Sequence, residues 1–137
     1  MSAPPIVLPR VGLSFDGQQR QFQPGETLSG SYALLNIDPR DVKAVELSVL
    51  WYTEGKGEED LAVHFFDRLE PSAALMDLGQ PRPFSTRLPE SPLSYAGLIV
   101  KVCWCVRVRV FLPQGKELFA EERFQLGSVP PAQEGET

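Results

Sequence analysis

The stretch Ile99–Phe111, IVKVCWCVRVRVF, decides the fold. Val100, Val102, Trp104, Val106, Val108 and Val110 share one parity, and Lys101, Cys103, Cys105, Arg107 and Arg109 share the other. A period of two puts one apolar row on one side of an extended chain. A helix would scatter the same residues around its whole circumference. The β-branched valines add strand propensity of their own. Outward from this strand toward the C-terminus, Pro113-Gln-Gly115 turns the chain into a partner arm, Lys116–Leu126, closing a hairpin. On the N-terminal side, Pro89–Gly97 reads as a loop and Pro83–Leu88 as a further strand.

The rest of the chain repeats the pattern. In Val42–Glu54, Val45, Leu47, Val49 and Trp51 alternate with Glu46, Ser48 and Tyr52, with Leu50 the apolar exception on the second face. Glu54–Asp60 reads as a solvated hairpin loop. Leu61–Leu69 leaves it as a strand, with Ala62, His64 and Phe66 predicted opposite Val63 and Phe65. Arg10–Asp16 ends in an Asp-Gly turn, and Pro24-Gly25 feeds a strand from Leu28 to Asn36. Glu70–Arg82 is expected to be mainly loop, with a short helical turn through Ala73–Leu78 as the alternative. The 13 prolines and 11 glycines suit many short strands joined by turns. The expected organisation is a disordered leader over 1–9, a folded body over 10–127 and a flexible tail over 128–137. The body is all-β, an immunoglobulin-like antiparallel β-sandwich of about seven strands, because stacked sheets bury one apolar face per strand.

Composition narrows the function classes. At 137 residues, 42% hydrophobic, the chain can bury a core as a single domain. A net charge of −5 disfavours binding to phosphate backbones, so no nucleic-acid partner is expected. Met1–Pro9 lacks a basic cluster followed by an apolar run, and no stretch approaches the ~20 apolar residues of a spanning helix. Cys103 and Cys105, two apart, are not a disulfide framework. The expected location is cytoplasmic.

The residues that carry chemistry are few. His64 is the only histidine, which removes metal sites and mechanisms needing two. Nothing in the sequence places it beside either thiol, and no third, orienting residue is identifiable. The acidic Glu54–Asp60 run has a lysine inside and lacks calcium-loop spacing. Gly55-Lys-Gly57 lacks the helix and hydroxyl residue of a phosphate loop. There is no nucleophile elbow, so neither enzymatic activity nor a cofactor is expected. Trp51 and Trp104 fall on inward faces, which favours core over a sugar-binding platform. Lys101, Arg107 and Arg109 form a cationic stripe on the outward face of one strand. They either pair across strands with Glu117 and Glu121 or receive an acidic peptide, phosphopeptide or lipid headgroup. Tyr52, on an outward face, and Tyr95, in a loop, are the aromatics available to a partner.

Three stretches resemble the arrestin fold as found in N-terminal-type lobes, in arrestin-domain-containing adaptors and in bacterial relatives of the sporulation-control type. FQPGETLSG (Phe22–Gly30) is similar to the family's Pro-Gly-Glu turn, and VKAVELSVLWYTE (Val42–Glu54) resembles its long central strand. FSTRLPESPLSYAGLIVKVCWCVRVRVF (Phe84–Phe111) resembles its phenylalanine strand, proline loop and valine-rich strand. The resemblance implies a non-catalytic adaptor or scaffold domain that binds a protein partner through a sheet edge or surface. A homodimer rebuilding the two-lobed shape is one such assembly. The tail Val129-Pro-Pro-Ala-Gln133 lacks the tyrosine of the adaptors' Pro-Pro-x-Tyr peptides, so their partners do not carry over. The competing reading is a β-sandwich ligand-binding module for carbohydrate or lipid.

Overall fold

The computed structural model describes residues 8–57, 59–70 and 79–127. Most of the predicted leader, the predicted tail and the Ala73–Leu78 turn lie outside the described residues. Seven strands of six residues or more coincide with the seven read from alternation. They are β1 (Arg10–Phe15), β3 (Thr27–Leu35), β4 (Ala44–Gly55), β5 (Leu61–Leu69), β6 (Arg82–Arg87), β8 (Val100–Phe111) and β9 (Glu117–Leu126). Two strands of two residues, β2 (Gln21–Phe22) and β7 (Tyr95–Ala96), exist only through their partners and have no sequence signature of their own.

The strands form two sheets. One has the order β1-β3-β6; the other has the order β2-β9-β8-β4-β5, with β7 also paired to β8. All pairings are antiparallel except β2 with β9. β8 is the spine: it pairs with β4 along its whole length, and on its other side with β9 and then β7. Its Val106, Val108 and Val110, with Val45, Leu47 and Val49 of β4, meet Leu28, Tyr32 and Leu34 of β3 in the core. Phe15, Phe22, Phe124 and Trp104 close one end of that core, with edge-on ring contacts of 5.6 to 6.3 Å among the three phenylalanines. The architecture is an all-β sandwich.

Two details correct the alternation read from sequence. A bulge between Val49 and Leu50 of β4 sets Val49 opposite Phe65 but Leu50 opposite Val63. One extra residue in β5 shifts its pleat, so Ala62 and Phe65 face the core while Val63 and Phe66 face outward. The second detail concerns the outer face of the six-stranded sheet. Leu50 and Cys105, opposite each other there, are buried at 2% and 0% exposure.

Gly30 shows how close the sheets' contents come. It faces inward in the middle of β3, and a Cβ there would collide with the Ser14 carbonyl oxygen and the Phe84 ring. Neither the backbone nor the packed ring can yield freely, so Gly30→Ala should destabilise the fold by about 1–3 kcal/mol. Urea unfolding with an unchanged m-value reads this out.

Candidate interaction surface

The cationic stripe is read best from the register. Across β8 and β9, Cys105 opposes Arg123, Arg107 opposes Glu121 and Arg109 opposes Phe119. Arg107 pairs with Glu121 at 3.0 Å, and Arg109 reaches diagonally to Glu117 at 2.6 Å. Arg109 also lies 3.9 Å from Glu46, which is bonded to Arg68 from the far side. The guanidinium groups stack on aromatic rings as well, Arg107 on Phe119 at 5.5 Å and Arg109 on Phe111 at 5.0 Å. Arg123 pairs with Glu54 at 2.9 Å and lies over the Tyr52 ring at 5.7 Å. To reach β4 from β9 it crosses β8 at the level of Cys103 and Cys105. The long polar side chains thus act as a lid over the small apolar residues beneath them, with their aliphatic stems as the underside.

Two of the three stripe charges, those of Arg107 and Arg109, are therefore neutralised within the fold. Lys101 differs. It is exposed, its cross-strand neighbour Glu54 is engaged by Arg123, and it forms no ion pair among the described residues.

The electrostatics follow from this cover. Burial pushes the Cys105 thiol up, and Glu121, to which its Sγ donates at 3.0 Å, adds to the effect. Burial, then the Glu54 charge, raises Cys103 as well. Burial pushes the Tyr52 hydroxyl up to about 12. For Glu121, burial works against ionisation, but hydrogen bonds from Cys105 and Arg107 outweigh it and hold the carboxyl below the ordinary range.

His64 lies on the other side of the sheet. Its Nε2–H donates to the Arg87 carbonyl at 2.8 Å, and its ring meets Trp104 edge-on at 6.1 Å. It is thus separated from both thiols by β8 itself. Among the described residues no three of His, Cys, Asp and Glu are placed to hold a metal ion. Trp104 is sealed at 1% exposure, its indole N–H donating to the Pro92 carbonyl at 2.7 Å. Trp51 packs half-buried against the core.

The other candidates gather where β8 changes partner. β9 pairs with β8 up to Trp104, and β7 takes over at Val102 and Lys101. The gap is a cleft of about 290 Å³ whose lining includes Tyr95, Lys101, Cys103 and Arg123. It brings Tyr95 and Lys101 together, while Tyr52 stays beneath Arg123.

Beyond the cleft, β7 and β8 join through a tight turn closed by Gly97 N–H to the Val100 carbonyl at 2.9 Å. At its tip Leu98 and Ile99 are 79% and 69% exposed. Gly55 permits the tip to dock on the end of β4, because a Cβ there would strike the Ile99 carbonyl, and Lys56 N–H donates to that carbonyl at 3.3 Å. Sequence reasoning misses this pair because Ile99 continues the apolar run of β8. The available signal is a hairpin turn with no Asn, Asp or Pro at its tip.

Neither a protein-family model nor a curated protein matches the chain. Among solved structures, the sporulation control protein Spo0M from Bacillus subtilis matches with a TM-score of 0.60 at 15% identity, over 90% of this chain and 51% of that one. Superoxide reductase (neelaredoxin) from Ignicoccus hospitalis matches with a TM-score of 0.54 at 6% identity, over 86% of this chain and 80% of that one. The chain is an arrestin-like β-sandwich. It spans about half the length of the Spo0M structure it resembles. No helix among the described residues is long and apolar enough to cross a membrane.

Two expectations come from the covered face. Folding lowers the Glu121 value, so its stabilisation is complete above the unfolded glutamate range and is lost as pH falls through the lower, folded value. Wild type should exceed Glu121→Gln by about 0.2–1 kcal/mol at neutral pH, and the two should converge in acid. Urea midpoints measured against pH check this; parallel curves would refute it. In the native protein iodoacetamide should modify Cys103 slowly and Cys105 only after denaturation, as peptide mass mapping would show.

Proposed function

We propose that this chain is a non-catalytic, arrestin-like protein-interaction domain that serves as an adaptor or scaffold in the cytoplasm. The observation that carries the reading is the pair Leu98 and Ile99, held out at the tip of the β7–β8 turn. Turn centres normally take polar or conformationally permissive residues, and a departure from local rules is expected where function demands it. The tip is fastened at its base by the Gly97 and Lys56 hydrogen bonds, so little ordering remains to be done on binding. Burying two such aliphatic side chains in a partner is worth roughly 1.5–3 kcal/mol each, the scale of an interface anchor. Lys101 and Tyr95 stand beside the tip as its polar and aromatic rim. The two free thiols, neither disulfide-bonded, fit a reducing compartment.

The competing carbohydrate reading is disfavoured by the sealed Trp104. The lipid reading takes support from the same apolar tip, with Lys56 and Lys101 next to it, and is separated from the protein reading by experiment. Full-length wild type and Leu98→Ser/Ile99→Ser are used as baits in the native cell extract and tested for sedimentation with phosphatidylcholine and phosphatidylserine vesicles. The double variant should lose at least about tenfold of the specifically captured protein while keeping its circular dichroism spectrum and melting temperature. Equal capture by both baits would sink the proposal. Vesicle binding by wild type that the double variant loses would replace the protein reading with the lipid one.

A further inference from the structure

The sheet edges are not equally protected. β6 carries Pro83, and β1 is six residues long behind Pro9. β2 and β7 are two residues long, and the part of β9 that β2 leaves unpaired, 117–124, has β1 packed against it. β5 presents nine residues with neither proline nor lysine, and among the described residues only β4 pairs with it. Leu61, Val63 and Phe66 on its outward face are 55%, 49% and 52% exposed. A bulge and the inward-facing Asp67 oppose casual pairing of this edge, yet its outward backbone groups still offer a strand partner a matching row.

The bulge determines what it can pair with. Thr53 N–H donates to the Asp60 carbonyl at 2.9 Å, so Asp60 and Ala62 direct their backbone groups at β4, while Leu61 and Val63 direct theirs away. The extra residue at His64–Phe65 shifts this phase by one, and beyond it Phe66 and Arg68 point their backbone groups away. These four residues are also the ones whose side chains share the outer face. An antiparallel partner must match both properties, outward backbone to outward backbone and like face to like face.

We propose that β5 pairs antiparallel with β5 of a second copy of this chain about a two-fold axis lying between His64 and Phe65. In that register Val63 stands opposite Phe66 of the second copy, Leu61 stands opposite Arg68, and every one of the four meets a residue of its own phase. Slipping by a single residue sets outward groups against inward ones, and a two-residue slip takes Val63 off Phe66 of the second copy. The pairing covers the exposed Val63 and Phe66 side chains twice, once on each side of the axis. It stops where Glu59 and Glu70 would oppose each other, with Arg68 diagonal to Glu59. The interface is isologous and small, so the dimer forms reversibly with concentration. It uses a different strand from the Leu98–Ile99 tip.

Sedimentation equilibrium of the full chain from micromolar to millimolar concentration tests the pairing, together with two cysteine variants under mild oxidation. Wild type should show a monomer–dimer equilibrium, and Val63→Lys/Phe66→Lys should weaken it by at least about tenfold with the fold retained by circular dichroism. Val63→Cys/Phe66→Cys should give a covalent dimer in which peptide mapping finds position 63 of one copy disulfide-linked to position 66 of the other. Leu61→Cys alone, far from its own symmetry mate, should not cross-link. A strict monomer at all concentrations overturns the proposal. So does cross-linking of the Leu61→Cys variant as efficient as that of the double variant. Because none of these substitutions touches Leu98 or Ile99, partner capture by the tip stands or falls separately.

Discussion

A buried indole must find an acceptor for its N–H or lose the free energy of an unsatisfied donor, and the way Trp104 meets that demand organises the sandwich. Its N–H donates to the Pro92 carbonyl, its ring packs at 5.8 Å on Phe124, and His64 comes in edge-on from β5. Phe124 in turn holds Phe22 and Phe15, which belong to the strands that close the end of the core. One side chain therefore ties the spine strand β8 to β9, β5 and the loop before β7. The same loop is held again at Ser94, whose N–H donates to the Leu126 carbonyl and whose hydroxyl accepts from Leu126 N–H. That anchoring gives β7, and with it the Leu98–Ile99 tip, a fixed position on the end of the sheet.

Much of the fold is legible in the sequence because half-buried strands write their facing into alternate residues. β3 keeps the period along its length, and its burial follows it residue by residue. β8 keeps the period in its residue types, but its burial alternates only from Val106 onward, because Cys105 is sealed on the outer face and Val100 is exposed at the strand's start. β5 does not keep the period, since a bulge is a property of how two strands meet and no residue type in LAVHFFDRL announces it. Sequence alone therefore misassigns the facing of Ala62 and Phe66. β2 and β7 escape for a related reason. Two residues cannot display a period, and they become strands only when Leu126 and Val102 lie beside them.

The candidate site is legible in part. Lys101, Arg107 and Arg109 share a face as alternation requires, but their different fates depend on β9. Its register sets Glu121 against Arg107 and brings Glu117 within reach of Arg109, while Lys101 lies beyond the last β8–β9 pair. Cys103 and Cys105 look alike in sequence, yet Arg123 and Glu121 bury the second more deeply than the first. Leu98 and Ile99 are invisible as a site because exposure, not residue type, makes them unusual.

The outer face of the six-stranded sheet also shows why the acidic balance of the chain and its exposed apolar residues do not conflict. Where the face is wide, between β4 and β9, arginines and glutamates are matched in rows. Their charges cancel locally, and their stems shield Leu50 and Cys105. Such a network presents little net field, and the exposed Phe119 within it is stacked by Arg107, so it offers a partner little to gain. The cover stops at the margins: β5 has a neighbour on one side only, and the β7–β8 turn projects past the end of β4. Apolar side chains at those margins cannot be sealed by cross-strand pairing, because no further strand of this chain stands beside them among the described residues. In the proposed reading recognition falls to the edge and the tip, and the broad face between them holds both in place.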